Sequence, residues 1–121
     1  MIGLGIDLVD VDRMRAALDR TPTLAERVFT AGERAYADAA RDPAERYAVR
    51  FAAKEAVMKA LGVGLGSIDW HDVEVLRADS GVPSLRITGR AAALAADLGV
   101  SAWHLSLTHT ERSAGAVVIA A

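Results

Sequence analysis

The sequence predicts a small single α+β domain in which a mainly antiparallel sheet packs against a group of helices. Three observations point there. Helix-period segments cluster after one N-terminal strand. Strand-period segments in the second half are joined in pairs by short polar turns. No repeat, low-complexity run or Pro/Gly linker divides the 121 residues. A doubly wound parallel sheet needs a crossover between each pair of strands, and this order does not supply one.

Ile2 to Val9 alternates Ile2, Leu4, Ile6 and Leu8 with Gly3, Gly5 and Asp7, which predicts a strand whose aliphatic face is buried. A helix follows from Val11 to Asp19, and Thr21-Pro22 supplies an N-cap and first position for a short second one. Thr30 with Glu33, and Asp42-Pro43 with Glu45, are two capping-box patterns that start further helices. The later of these runs to Leu61, where Gly62 stops it. Trp70 to Arg77 and Ser84 to Thr88 read as strands around the turn Asp79-Ser80-Gly81. Thr88 begins an alanine-rich helix that closes at Gly99. Strands Ala102 to Thr108 and Ala114 to Ala121 flank a polar turn at Thr110 to Ser113.

Composition narrows the chemistry. A net charge of −2 and a pI near 5.9 give no bulk attraction to nucleic acid or membrane, so neither is expected as a partner, and an acidic protein must be met by a local basic patch. The absence of cysteine removes disulfides, thiolate catalysis and zinc–sulfur sites. The N-terminus lacks a basic leader, and Asp7 interrupts what would be the apolar region of a signal peptide. No stretch reaches the ~18 apolar residues of a membrane span. With Met1 directly before the first strand, a free-standing cytoplasmic protein is expected.

Two carboxylates stand out. Glu55 falls between Phe51 and Met58 on an apolar helical face, where lost hydration needs a compensating cation or donor. Asp7 interrupts an apolar strand beside Gly3 and Gly5, which leave room for close approach. Two semi-buried carboxylates plus phosphate oxygens suit Mg²⁺, and hard oxygen ligands accept Mn²⁺ as well. Lys59, one turn beyond Glu55, either forms an i,i+4 ion pair with it or neutralises a phosphate. His109 shares a strand face with Trp103, Leu105 and Leu107. Gly62, Gly64 and Gly66 form a connector that a phosphate or a long flexible chain could pass closely. Arg13 and Arg20, seven residues apart on one helical face, offer a basic patch.

Several segments together resemble the holo-acyl-carrier-protein synthases, the short 4′-phosphopantetheinyl transferases. They are Gly5-Ile6-Asp7-Leu8-Val9 with Arg13, Phe29-Thr30 with Glu33, and Arg50-Phe51-Ala52-Ala53-Lys54-Glu55-Ala56 with Lys59-Ala60-Leu61-Gly62. Asp72-Val73-Glu74-Val75, Gly81-Val82-Pro83 and Leu105-Ser106-Leu107-Thr108-His109 complete the set. The resemblance implies an α+β phosphopantetheinyl-transferase fold and Mg²⁺-dependent transfer of 4′-phosphopantetheine from coenzyme A to an acyl-carrier-protein serine, with release of adenosine 3′,5′-bisphosphate. Asp7 and Glu55 would hold the metal, and these two with Lys59 would be the catalytic set. Arg50, Lys59, Gly62, Gly81, Pro83 and His109 would bind coenzyme A, and Arg13 and Arg20 the acidic carrier protein. The serine proton would pass to Glu55 or to a water on the metal. The family pattern ends Ser-x-Ser-His, and Thr108 here replaces the second serine while keeping a hydroxyl. A homotrimer with sites between subunits is implied, and Asp7 and Glu55 are expected to come from different chains or to lie at a chain boundary. Rival readings are a nucleotide pyrophosphohydrolase, a non-catalytic coenzyme A- or carrier-binding module, and a domain of a larger synthase. The acidic helix cluster common in such hydrolases is absent, since Glu55 stands alone between lysines.

Overall fold

The computed structural model describes all residues from Met1 to Ala121. Its order is β1 (Gly3–Asp10), α1 (Val11–Arg20), α2 (Leu24–Val28), α3 (Ala31–Asp38), α4 (Pro43–Leu61), β2 (Val73–Arg77), β3 (Pro83–Ile87), α5 (Gly89–Asp97), β4 (Trp103–His109) and β5 (Ser113–Ala120). The antiparallel strands form two sheets, β1-β5-β4 and the hairpin β2-β3.

Helix α4 is buried nearly all round, as a helix packed on every side must be. On one side Ala52, Ala56 and Ala60 meet Ala116, Val118 and Ala120 of β5 together with β2 and α5. On the other, Tyr47, Ala48 and Val49 close over Val11 and Met14 of α1 and over Phe29 and Ala37 around α3. Gly62, at φ 73°, ends the helix in the left-handed conformation that suits glycine. No helix is long and apolar enough to cross a membrane.

The first strand is inverted relative to its expected orientation. A Cβ on Gly3 or Gly5 would stand 1.8 Å from the carbonyl oxygen of Ala60 or Ala56, so the glycine face lies directly against α4. The aliphatic face points outward instead, with Leu4 at 56 %, Ile6 at 65 % and Leu8 at 74 % exposure. Alternation identifies which residues share a face, but the close approach of α4 decides which face is covered.

Local signals behaved unequally. Asp10 caps α1 through the Arg13 amide at 2.9 Å. The Thr30–Glu33 box closes both ways: the Glu33 amide donates to Thr30 Oγ1 at 3.2 Å, and the Thr30 amide to Glu33 Oε1 at 3.0 Å. The second expected box does not form. The Asp42 carboxylate takes the Arg15 guanidinium at 2.7 Å, a charge-assisted bond stronger than a cap, and Glu45 turns toward His109. The short second helix starts later than Thr21-Pro22, at Leu24, with Thr23 in the N-cap position and no side-chain cap. Trp70 to Asp72 is one 3₁₀ turn, not strand, because Asp72 Oδ2 accepts from the Asp69 amide at 3.1 Å and curls the chain. Gly81, at φ 91°, closes the β2–β3 turn by donating to the Ala78 carbonyl at 2.8 Å.

Candidate active site

Asp7 and Glu55 meet within one chain. The glycine face of β1 lies on α4, and Asp7, next along that face, reaches the flank of the helix where Glu55 emerges. Both line one groove with Phe51 and Leu24, and Arg13 and Arg20 stand on its α1 side. Of the two expected alternatives, different chains or a chain boundary, the first is corrected: a single chain supplies both carboxylates. Glu55 is half-buried and has neither a hydrogen bond nor an ion pair. Burial, then the Asp7 charge, push its pKa above the usual carboxylate range, with Lys59 opposing. Lys59 does not pair with Glu55; its ammonium donates to Asp7 Oδ1 at 3.1 Å and to the Ile6 carbonyl at 2.9 Å.

This pair fits a hard divalent cation. Two like charges face each other, one of them lacking any donor, and no third His, Cys, Asp or Glu joins them. Such a set leaves most of the coordination sphere to water and substrate phosphate, the arrangement magnesium prefers.

A second, separate cavity of about 640 Å³ lies on another side of α4. Arg50, Gly81, Pro83 and His109, four of the residues that the resemblance assigns to coenzyme A, all line it. It also gathers Arg41, Arg46 and Arg77, which sequence reasoning did not single out. The signal for Arg46 was its i,i+4 spacing from Arg50; Arg77 comes from the end of β2 and is joined only by folding. Arg50 is only 4 % exposed, and its Nε has no partner. Burial is the main cause lowering its pKa, with Glu33 opposing and Arg46 adding to the shift. No carboxylate pairs with Arg41, Arg46, Arg50 or Arg77, while His109 faces Glu45 at 4.0 Å. Crowded, unpaired arginines in a cleft call for a polyanion.

The two cavities share no lining residue. Arg50 and Glu55 are five positions apart on α4, so they project about 140° apart around its axis. Gly62 lies in neither cavity; it caps α4 in an open, exposed loop. Thr108 is also outside both, on the exposed sheet face over Gly115. Lys54, beside Glu55 in sequence, is structural: its ammonium is fully buried, pairs with Glu33 at 2.8 Å and donates to the carbonyls of Trp70 and Val73.

The chain is similar to known proteins over its full length. The model of the 4′-phosphopantetheinyl transferase superfamily matches residues 3–119. Holo-[acyl-carrier-protein] synthases of Frankia casuarinae and Streptomyces avermitilis are 54 % and 52 % identical, each over 99 % of this chain and 97 % of the relative. The crystal structure of the Neisseria meningitidis holo-[acyl-carrier-protein] synthase superimposes with a TM-score of 0.90 at 28 % identity, covering 100 % of this chain and 98 % of the other. The Bacillus anthracis synthase, solved in complex with CoA (3′,5′-ADP), gives 0.80 at 34 % identity, covering 97 % and 93 %. With the family model matching residues 3–119 and half of its residues identical to these relatives over the full length, the chain belongs to the 4′-phosphopantetheinyl transferase superfamily and, within it, to the holo-[acyl-carrier-protein] synthases.

Proposed function

We propose that this enzyme transfers 4′-phosphopantetheine from coenzyme A to a serine of apo acyl carrier protein in a Mg²⁺-dependent reaction that releases adenosine 3′,5′-bisphosphate. The observation that carries this reading is the partnerless Glu55 carboxylate facing Asp7, in a chain that also holds an unpaired arginine cavity.

Asp7 and Glu55 would hold the metal, whose contribution when bound is to neutralise the pyrophosphate of coenzyme A. The serine oxygen forms a bond to the phosphorus that bears pantetheine, and the bridging P–O bond breaks toward the nucleotide. The serine proton would pass to Glu55, which has no hydrogen-bond partner within the chain, or to a water in the groove. Lys59, already on Asp7, is placed to balance charge on the leaving phosphate. Arg50, His109 and the Gly81–Pro83 turn would hold the nucleotide end. Arg13 and Arg20, on the α1 side of the carboxylate groove, would meet the acidic carrier protein. The expected setting is the cytoplasm.

Two features support an assembly. The outward row Leu4, Ile6 and Leu8 on edge strand β1 is an apolar patch of the kind that marks protein interfaces. One coenzyme A must also engage both the carboxylates and the arginines, which face different ways on one chain. We therefore propose a homotrimer in which each site pairs the Asp7–Glu55 groove of one subunit with the arginine cavity of its neighbour.

The test is the intact mass of an apo carrier protein incubated with enzyme, coenzyme A and Mg²⁺. Addition of one phosphopantetheine, abolished by chelation and by Glu55→Gln, is expected. No addition to any of several fatty-acid and polyketide carriers, from folded enzyme, would overturn the proposal.

A further inference from the structure

Tyr36 is the centre of the arginine cavity. The Arg46 guanidinium lies 3.9 Å from its ring centroid, that of Arg50 4.4 Å and that of Arg77 5.1 Å. Arg46 is held twice, since it also donates to the Tyr36 carbonyl at 2.6 Å. The phenolic hydroxyl makes no hydrogen bond, so the residue acts through its ring and its backbone. Three cations with no carboxylate partner repel one another, and α4 supplies two of them from successive turns. The electron-rich faces of one aromatic ring are the neutral group that can hold guanidiniums together without cancelling their charge. A carboxylate in that place would form ion pairs and remove the cavity's affinity for anions. Arg50 keeps a buried Nε free, so the cluster is not satisfied within the chain.

We propose that Tyr36 is a positioning residue: its ring is a pedestal that arranges Arg46, Arg50 and Arg77 as one receptor for the phosphomonoester of the nucleotide end of the substrate. This rests on the transferase reading above and deepens it, because the pedestal sets discrimination between donors with and without that phosphate. Tyr36 touches no reacting atom, so its loss acts on donor affinity and not on turnover.

The experiment compares wild type, Tyr36→Phe, Tyr36→Leu and a variant with pentafluorophenylalanine at position 36, each with coenzyme A and with 3′-dephospho-coenzyme A. Tyr36→Phe keeps the ring face and should keep the wild-type KM. Tyr36→Leu and the fluorinated ring should raise the KM for coenzyme A about tenfold, leave kcat unchanged, and change the KM for the dephosphorylated donor little. The fluorinated side chain has nearly the shape of phenylalanine and a reversed ring quadrupole, so it separates electrostatics from packing if Tyr36→Leu fails to fold. Equal KM values for Phe and pentafluoro-Phe at position 36, or parallel losses toward both donors, overturn the pedestal. Calorimetric binding of adenosine 3′,5′-bisphosphate is read separately. A wild type that binds it but transfers nothing sinks the transferase reading alone, whereas equal affinity in Tyr36→Phe and the fluorinated variant sinks the pedestal.

Discussion

Lys54 and Glu55 are adjacent on one helix and have opposite fates. The Lys54 ammonium is sealed from solvent, yet its direct partners all answer its charge: the Glu33 carboxylate and the carbonyls of Trp70 and Val73. Glu33 is satisfied in turn by the amides of Thr30 and Val75. This pair ties α3, α4 and the start of β2 together, and burial lowers the lysine pKa while Glu33 opposes that shift. Glu55 is less buried and has nothing. A charge that the fold fully compensates belongs to the fold; a charge that the fold leaves open beside another of the same sign belongs to a ligand.

The largest effect should come from breaking the compensated pair. Lys54→Met strands Glu33 in the interior and should cost about 3–5 kcal/mol in urea unfolding. A loss under 1 kcal/mol would mean the buried pair does little for the fold. Next is Glu55→Gln, expected to lower phosphopantetheinyl transfer by about 10²–10³-fold or more. Its stability effect has the opposite sign to that of Lys54→Met. Because the folded pKa of Glu55 is raised above 4.5, the native state binds more protons than the unfolded one between 4.5 and that raised value. Stability from this group is thus fully present below pH 4.5 and falls as pH rises through the window, so at neutral pH Glu55→Gln should melt slightly higher than metal-free wild type. A lower melting temperature would contradict the reading of Glu55 as uncompensated. Metal affinity measured by calorimetry should weaken as pH is lowered through the same window. Gly5→Ala forces a Cβ onto the Ala56 carbonyl and should cost about 1–3 kcal/mol, with reduced activity because Asp7 rides on the displaced strand. Smallest is Thr30→Ala, which removes one side of the capping box above Glu33 and should cost about 1 kcal/mol with near-normal turnover.

What the sequence revealed depended on distance along the chain. The stop at Gly62, the Thr30–Glu33 box and the hairpin turn at Gly81 rest on neighbouring residues and were legible. Asp7 and Glu55 were each legible too, because a charge among apolar neighbours is visible without coordinates, but their meeting within one chain was not. The orientation of β1 was not: its large residues mark a covered face in either orientation, and only the depth of the Ala56–Ala60 backbone selects the glycine side. The outward row then reads as an unmet need for a partner. The Asp42–Glu45 box failed because Arg15, 27 positions away, competes for Asp42. The buried pairing of Lys54 left no trace in its neighbours because Glu33 lies on another helix. The arginine cavity draws on α3, α4 and the β2–β3 hairpin, so its full charge and the place of Tyr36 emerge only in three dimensions.

The most direct test of a site shared between subunits is complementation by mixing. Glu55→Gln and Arg50→Met are each expected to be inactive alone, since one removes the groove's open carboxylate and the other the buried guanidinium of the cavity. Unfolded together in equal amounts and refolded, they should recover about a quarter of wild-type transfer, because that fraction of subunit boundaries joins an intact Glu55 to an intact Arg50. Transfer no greater than the sum of the two separate variants, from mixed assemblies verified by native mass spectrometry, would show that each chain works with its own two cavities.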